Sequence, residues 1–374
     1  MIDWQRYRDE FPVTDRYLYM NHAAVSPLST RVERAMERVS EGLRKRGNLF
    51  GDELFEQSEE IRGSIARMLR VSPDEVAFTR NTTHGVLTAA MGVEWRKGDN
   101  VVMPSIEFPA NVYPWMALER FGVDVKLVEP EEGRVTAGML EDACDERTRM
   151  VTVSLVQFSN GYRIDIEELG HACREREILL HVDAIQALGM IDLDLSKTHI
   201  DFLSAGGHKW LLSVPGIGIF VIRRERIDEI EIWNPGWTGV LDPWNFLSYD
   251  ATFRGDARRY EEGSLNFHGI YALGASVERF LEIGMERVEE RILHLTSLLR
   301  EGLEERGCEI SSPGGESERS GIVCFRRPGA GTDELFASLS GRGAVVSLRE
   351  GLIRVSPHFY NTEDEIGRFC ALVD

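Results

Sequence analysis

Gly206-Gly207-His208-Lys209-Trp210, taken with His181-Val182-Asp183-Ala184-Ile185-Gln186 just upstream, is the stretch that decides the fold. Ile178–Val182 is a short apolar run ending on an acid, which reads as a strand with Asp183 at its carboxyl end. In an open α/β sheet that end is where ligands bind. A second run, Ile200-Asp201-Phe202-Leu203-Ser204-Ala205, leads straight into two glycines, an imidazole and an amine. Glycines let the backbone pass close to a bulky group, so a carboxylate and a lysine are expected to converge on one flat ligand. Pyridoxal 5′-phosphate (PLP) needs that pair, an amine for the Schiff base and an acid for the pyridinium nitrogen.

Working outward, Val76-Ala77-Phe78-Thr79, Asn100-Val101-Val102-Met103-Pro104, Val123–Val128 and Met150–Val156 are further strand-like runs, with helical segments at Ala137–Ala143 and Ile166–Glu177. Strand alternating with helix from Val76 to Arg223 is the signature of a doubly wound, mostly parallel sheet. Residues 1–15 read as a short helix and turn, and Ser29–Leu69 predicts two amphipathic helices. After Arg224 the periodicity loosens over Trp233–Asp256, whose aromatics and turn residues suit a long active-site or dimer loop. Phe267–Ile283 and Met285–Arg306 read as helices. Strands at 321–325, 345–347 and 352–356, with helices at 332–339 and 362–372, predict a small second sheet. The expected class is α/β: a large domain over 16–255, a smaller C-terminal α+β domain over 256–374, and residues 1–15 packed against the latter.

The net charge of −19 argues against a nucleic-acid groove or an anionic membrane surface. An anionic ligand can bind only where local cations or a helix N-terminus override that field. Cys144, Cys173, Cys308, Cys324 and Cys370 are odd in number and form no Cys-x-x-Cys pair, which fits a reducing compartment and excludes a disulfide framework or zinc ribbon. No metal site is expected. The polar start Met1-Ile2-Asp3-Trp4-Gln5-Arg6 and the lack of a run of about 18 apolar residues predict a cytoplasmic protein.

Several other segments could meet a ligand. Arg80-Asn81-Thr82-Thr83-His84-Gly85 opens a helix, where hydroxyls and free N–H groups make either an anion site or a plain N-cap. Phe108, in Glu107-Phe108-Pro109-Ala110-Asn111, is either a core aromatic or a plate for a flat ring. Asn160 before Gly161 is either a turn residue or an amide donor. Asn21-His22-Ala23-Ala24-Val25-Ser26 is a loop of small residues, and Arg354 offers a guanidinium fork suited to a carboxylate.

Taken in order, from Tyr19-Met20-Asn21-His22-Ala23-Ala24 to Arg354-Val355-Ser356-Pro357-His358-Phe359-Tyr360-Asn361-Thr362, these motifs resemble fold-type I PLP enzymes of the class V aminotransferase family. That family also holds cysteine desulfurases, kynureninases and isopenicillin epimerase-like proteins. The resemblance implies PLP on Lys209, with Asp183 at the ring nitrogen, Phe108 stacked on the ring, and Asn160 and Gln186 at the phenolic oxygen. It implies Thr82, Thr83 and His208 at the phosphate. Ser264 would reach the phosphate held by the other subunit, making a homodimer with shared active sites. Arg354 would take the α-carboxylate of a small amino acid, with His22 and Ala23 beside it. Two departures stand out. Many relatives carry histidine where this chain has Phe108, which can stack but cannot move a proton. Most carry serine where this chain has Gly206, so one phosphate ligand is missing.

Persulfide-forming desulfurases of this family use a cysteine on the loop before the Arg354 strand. Here that loop reads Val346-Ser347-Leu348-Arg349-Glu350-Gly351 and has none. The expectation is therefore an aminotransferase acting on a small amino acid, with Lys209 as its lone proton shuttle. A C–S lyase or desulfurase-like β-eliminating enzyme, or an epimerase, is the alternative, and PLP binding without catalysis is a third reading. Tyr113, Trp237, Arg254, Arg258, Arg349, His22 and His358 are the candidate readers of the substrate side chain.

Overall fold

The computed structural model describes residues 2–374. α1 (Trp4–Arg8) and β1 (Leu18–Tyr19) lead into two amphipathic helices, α2 (Thr30–Arg46) and α3 (Gly51–Leu69). The central sheet comprises β2 (Val76–Thr79), β3 (Asn100–Pro104), β4 (Asp124–Val128), β5 (Thr148–Ser154), β6 (Leu179–Asp183), β7 (Phe202–Gly206) and β8 (Gly218–Ile222). Between them come α4 (Thr82–Gly92), α5 (Tyr113–Met116), α6 (Ala137–Ala143) and α7 (Ile166–Glu175). The strand order is β2-β8-β7-β6-β5-β3-β4. Strands β3 to β7 pair in parallel, while β8 runs antiparallel to both of its neighbours. The link from β7 to β8 contains no helix, and without a crossover helix a strand returns antiparallel.

Successive residues of these strands alternate between two cores. Val102, Leu180, Val182 and Leu203 pack with Ile61 and Ile65 of α3 and Leu169 of α7. Val101, Met103, Leu179 and Phe202 pack with Val86 and Ala89 of α4 on the other face. Burial on both faces is why the strands read as unbroken apolar runs. It also leaves only the strand ends open to ligands, and Asp183 and Gly206 close β6 and β7 at one such end.

The C-terminal part contains α8 (Phe267–Ile283), α9 (Met285–Glu304), β9 (Glu309–Ile310), β10 (Val323–Arg326), α10 (Thr332–Gly341), β11 (Ala344–Val345), β12 (Ser347–Arg349), β13 (Leu352–Val355) and α11 (Glu363–Leu372). A four-stranded antiparallel sheet has the order β12-β13-β10-β9.

The expected division at 255/256 is corrected by the packing. α8 lies on α2 and α3, and its Ile270, Leu273, Val277 and Phe280 belong to the core that holds the central sheet. The change falls inside α9: Val288 and Ile292 join that core, whereas Leu295, Leu299 and Leu303 join the C-terminal one. β1 also crosses over, pairing in parallel with β11 and placing Leu18 and Met20 in the C-terminal core. Residues 2–15 touch both parts. Trp4 and Tyr7 pack on Phe359, Arg8 pairs with Glu365 of α11 at 2.7 Å, and Glu10 pairs with Arg279 of α8. Among the described residues no helix is long and apolar enough to cross a membrane.

Candidate active site

Two elements bring the central pair together. The apolar body of β6 is buried and delivers Asp183, 1 % exposed, to its end. The Asp183 Oδ1 accepts a hydrogen bond from the Ile185 N–H at 2.9 Å, and its Oδ2 is buried without a partner. Beyond β7, Lys209 is 8 % exposed, and its Nζ lies 5.3 Å from the centre of the Phe108 ring. The loop after β1 straps this segment down: the Ser26 N–H donates to the His208 carbonyl at 2.9 Å and its hydroxyl to the Lys209 carbonyl.

Burial dominates the electrostatics. It lowers the proton affinity of Lys209, which Asp183 opposes while Arg354 and Arg349 reinforce. It raises that of Asp183, against the Ile185 N–H and Lys209 and with the help of Glu107.

A second group of atoms converges at the start of α4. Asn81 caps that helix, its side chain accepting from the His84 N–H, and Thr82 Oγ1 is buried with no partner. A Cβ at position 206 would lie 3.2 Å from Thr82 Oγ1 and 3.2 Å from His208 Nδ1. Gly206 therefore keeps open the spot on which a hydroxyl, an imidazole and a helix N-terminus converge, the arrangement that suits a phosphate.

The third component comes from the small sheet. Arg354 on β13 is 2 % exposed, donates from Nη1 to the Phe158 carbonyl at 2.7 Å, and leaves Nε unpartnered. Burial lowers its pKa to about 10, with Cys324 opposing and Arg349 adding. A buried guanidinium with free donors is a carboxylate site in waiting.

The family model for class-V aminotransferases matches residues 18–369. The chain belongs to the class-V aminotransferase family. Its members are PLP-dependent enzymes, and PLP is the cofactor here. One relative is a protein of Methanothermobacter thermautotrophicus named as a probable cysteine desulfurase, 30 % identical, covering 96 % of this chain and 94 % of its own length. Another is YcbU of Bacillus subtilis, named as an uncharacterized aminotransferase, 26 % identical over 97 % of this chain and 95 % of its own. Among solved structures, the cysteine desulfurase of Thermococcus onnurineus superposes with a TM-score of 0.90 at 25 % identity, covering 99 % of this chain and 97 % of the other.

The residues present fit PLP in this class-V chain. Two of the buried polar atoms left without partners, Asp183 Oδ2 and Thr82 Oγ1, are an acceptor suited to a pyridinium N–H and a donor suited to a phosphate oxygen. Leaving each unpaired costs about 1–3 kcal/mol, a cost that a bound ligand removes. Thr83 is half-buried one residue further along α4.

Other expected site residues are spent elsewhere. His22 is fully buried, its Nδ1–H donating to the Ser356 carbonyl at 2.8 Å and its Nε2 accepting from the Tyr360 hydroxyl at 2.7 Å. Ala23 gives its N–H to Ser356 Oγ and its carbonyl to Gln186 Nε2. Within the chain itself both residues tie the loop after β1 to Ser356, Tyr360 and Gln186. Asn160 is held likewise: its Nδ2 donates to the Gly133 carbonyl at 2.6 Å and its Oδ1 accepts from the Tyr162 N–H, which leaves one amide hydrogen free. Gln186 is tied to Ala23 and to the Trp210 Nε1–H, which leaves one amide hydrogen for a ligand.

Among the candidate side-chain readers, His358 is buried between the Trp210 carbonyl and the Phe359 N–H. Arg258 is ion-paired with Glu59, Asp74 and Asp256. Arg254 and Arg258 line a separate cleft of about 580 Å³ with Phe55 and Trp244. Tyr113 is exposed, and Trp237 packs on Trp244. Ser264 is exposed, in the left-handed region at φ +49°, across a small cleft from Arg80 and His84.

The sequence reading missed Glu107. This acid, 6 % exposed, accepts four hydrogen bonds: from the Ser154 N–H and Gln157 Nε2 on Oε1, and from the Ser154 hydroxyl and Asn111 Nδ2 on Oε2. Ser154 pairs in register with Asp183, which places the Glu107 carboxylate beside it. A polar chain leads to Glu107 from Ser204 through His181, Thr152 and Asn111, all buried. The one sequence signal was an acid and an amide four residues apart, flanking Phe108.

Proposed function

We propose that this chain is a PLP-dependent enzyme that breaks the C–S bond of a cysteine-type amino acid. This reverses the order expected from sequence, where transamination stood first. The observation that carries the reading is the near full-length likeness, at 30 % identity, to a protein named as a cysteine desulfurase.

Bound PLP supplies the electron sink for the pair released at the substrate Cα. Arg354 holds the substrate α-carboxylate in a bidentate grip. Asp183 would keep a proton on the ring nitrogen, with the Glu107 carboxylate held beside it by Ser154, Gln157 and Asn111. Lys209 Nζ, its basicity lowered by burial, would take the Cα proton, and the overall β-elimination would release the Cβ sulfur as thiolate, with water taking the remaining carbons to pyruvate and ammonia. Phe108, its ring centre 5.3 Å from Lys209 Nζ, carries no proton, so Lys209 acts alone.

The sulfur leaves as free thiolate, because no cysteine of the chain is placed to take it up. The hairpin before Arg354 turns in two residues, Glu350 and Gly351, both at positive φ, and bears no cysteine. Cys324, opposite Arg354 in register, is fully buried, donates to the Ser159 carbonyl, and has its thiol pushed up to about 12 by burial. A thiol held so is no nucleophile.

A homodimer completes the reading, with Ser264 reaching the partner's phosphate cradle. Supporting it is an exposed apolar patch on the loop after β8, where Trp237, Trp244 and Phe246 pack on one another beside exposed Leu241, Leu247 and Tyr249.

The test incubates holoenzyme with L-cysteine and L-cystine and measures pyruvate and sulfide without added 2-oxo acid. Pyruvate formed without an amino acceptor supports C–S cleavage. Turnover that requires a 2-oxo acid overturns it in favour of transamination, the reading favoured by the likeness to YcbU.

A further inference from the structure

One buried carboxylate joins two loops beside Lys209. Glu107 lies on the loop after β3, and Gln157 on the loop after β5. Glu107 Oε1 accepts from the Ser154 N–H and from Gln157 Nε2, both at 2.7 Å, and Oε2 accepts from Asn111 Nδ2 at 3.1 Å and from the Ser154 hydroxyl. Gln157 is 2 % exposed, and its Oε1 has no partner. Among the described residues, the bond to Glu107 is the only one its side chain makes. The orientation of this buried amide therefore depends on Glu107.

The residue after each partner reaches the site. Phe108, next to Glu107, has its ring centre 5.3 Å from Lys209 Nζ. Phe158, next to Gln157, meets the Phe108 ring edge-on, with centroids 5.2 Å apart. The Phe158 carbonyl accepts from Arg354 Nη1 at 2.7 Å, the only hydrogen bond that the Arg354 side chain makes among the described residues. A chain of direct links thus runs from Glu107 through Gln157 and Phe158 to a guanidinium delivered by the small sheet. Burying an acid is costly, and none of the four donors to Glu107 carries a charge to offset it. An apolar side chain could fill the same space at less cost, but a carboxylate can fix the directions of four donors at once.

We propose that Glu107 is a positioning residue for the substrate's α-carboxylate. By holding Gln157 it fixes the Phe158 carbonyl, and that carbonyl sets the direction in which Arg354 presents its remaining N–H groups. Through Phe108 the same acid holds the aromatic wall beside Lys209. Glu107 acts through these residues and not by contact with substrate. The inference rests on the assignment of Arg354 to the α-carboxylate under the proposed function, and adds to it the group that aims the guanidinium.

The experiment titrates holoenzyme with L-alanine and with ethylamine, the same amine without its carboxylate, reading dissociation constants from the visible band of the bound cofactor. The native protein is expected to bind L-alanine at least tenfold more tightly. E107A should cut that preference about fivefold or more while leaving ethylamine within twofold. E107Q, whose amide oxygen still takes the Ser154 N–H and Gln157 Nε2, should lose a smaller part of it. In an R354A background either Glu107 change should alter L-alanine affinity by less than about twofold, because a residue acting through Arg354 has nothing left to act on. Equal weakening of both ligands, an unchanged preference in the Glu107 variants, or an additive effect in the double variant overturns the proposal; if E107A does not fold, E107Q decides by the same criteria. An R354A protein that keeps the native preference sinks the Arg354 assignment and this inference with it, whereas loss of the preference in R354A beside silent Glu107 variants sinks this inference alone. Neither ligand carries sulfur, so the result is independent of the C–S cleavage reading.

Discussion

The cradle around Lys209 and the buried histidines His22, His181 and His358 are all polar and buried, yet their hydrogen-bond accounts are opposite. In the cradle, Asp183 Oδ2, Thr82 Oγ1 and Arg354 Nε have no partner. In the histidines, both ring nitrogens are engaged. Burying a polar atom unpaired is costly, and a fold keeps such atoms only where something else completes them. Unpartnered atoms occur elsewhere in the chain too, on Arg279, Arg306 and Glu365 among others, and what sets the cradle apart is that three of them sit around Lys209.

Substitutions sharpen that contrast. Asp183→Asn removes the charge that holds the ring proton, and kcat should fall by about a hundredfold to a thousandfold with the fold intact. A mild loss would mean that the free Oδ2 serves nothing. Arg354→Ala should act through KM, raising it by an amount equivalent to about 2–5 kcal/mol if the contact is a buried charged fork. An unchanged KM would place the carboxylate elsewhere.

Among the buried histidines the same kind of change should move stability and spare the chemistry. His22→Ala orphans the Tyr360 hydroxyl and leaves the Ser356 carbonyl with only the residue-22 N–H, an expected loss of about 1–3 kcal/mol in denaturant unfolding with near-normal turnover per folded molecule. Lost turnover in a folded His22→Ala protein would break the contrast.

The smallest effect is in the acid limb of stability. Burial pushes His22 down to about 4 and His181 to about 3, from an unfolded value of roughly 6.5. Between those values the unfolded chain binds protons that the folded chain refuses, so stability declines as pH falls from about 6.5 toward 4. Asp183, raised by burial, contributes with the opposite sign. Replacing His22 with Gln should flatten the slope by up to one proton, ~1.4 kcal/mol per pH unit. An unaltered slope would mean that His22 is charged in the folded state.

Much of this was legible in the chain. Val76–Thr79, Asn100–Pro104, Ala137–Ala143 and Phe267–Ile283 were bounded to the residue, because each is an apolar run closed by turn or polar residues. That Asp183 closes β6 and that Lys209 follows shortly after β7 were both legible, because each apolar run ends on polar or turn residues. What the sequence hid was satisfaction at a distance. His22 and Asn160 match ligand-binding residue types, but their partners are Ser356, Tyr360, Gly133 and Tyr162, brought close only by the fold. The pairing of β1 with β11 and the docking of α8 on α3 are long-range in the same way, which is why the boundary at 255/256 was misplaced. Gly206 read as a missing ligand, whereas its lack of a Cβ is what leaves room between Thr82 and His208.

The central claim is that PLP is tethered to Lys209 over the free oxygen of Asp183. Reducing the holoenzyme with borohydride, digesting it and locating the phosphopyridoxyl group by mass spectrometry tests this most directly. The label is expected on the peptide containing Lys209. A label on another lysine, or none on a protein saturated with PLP, would contradict the account.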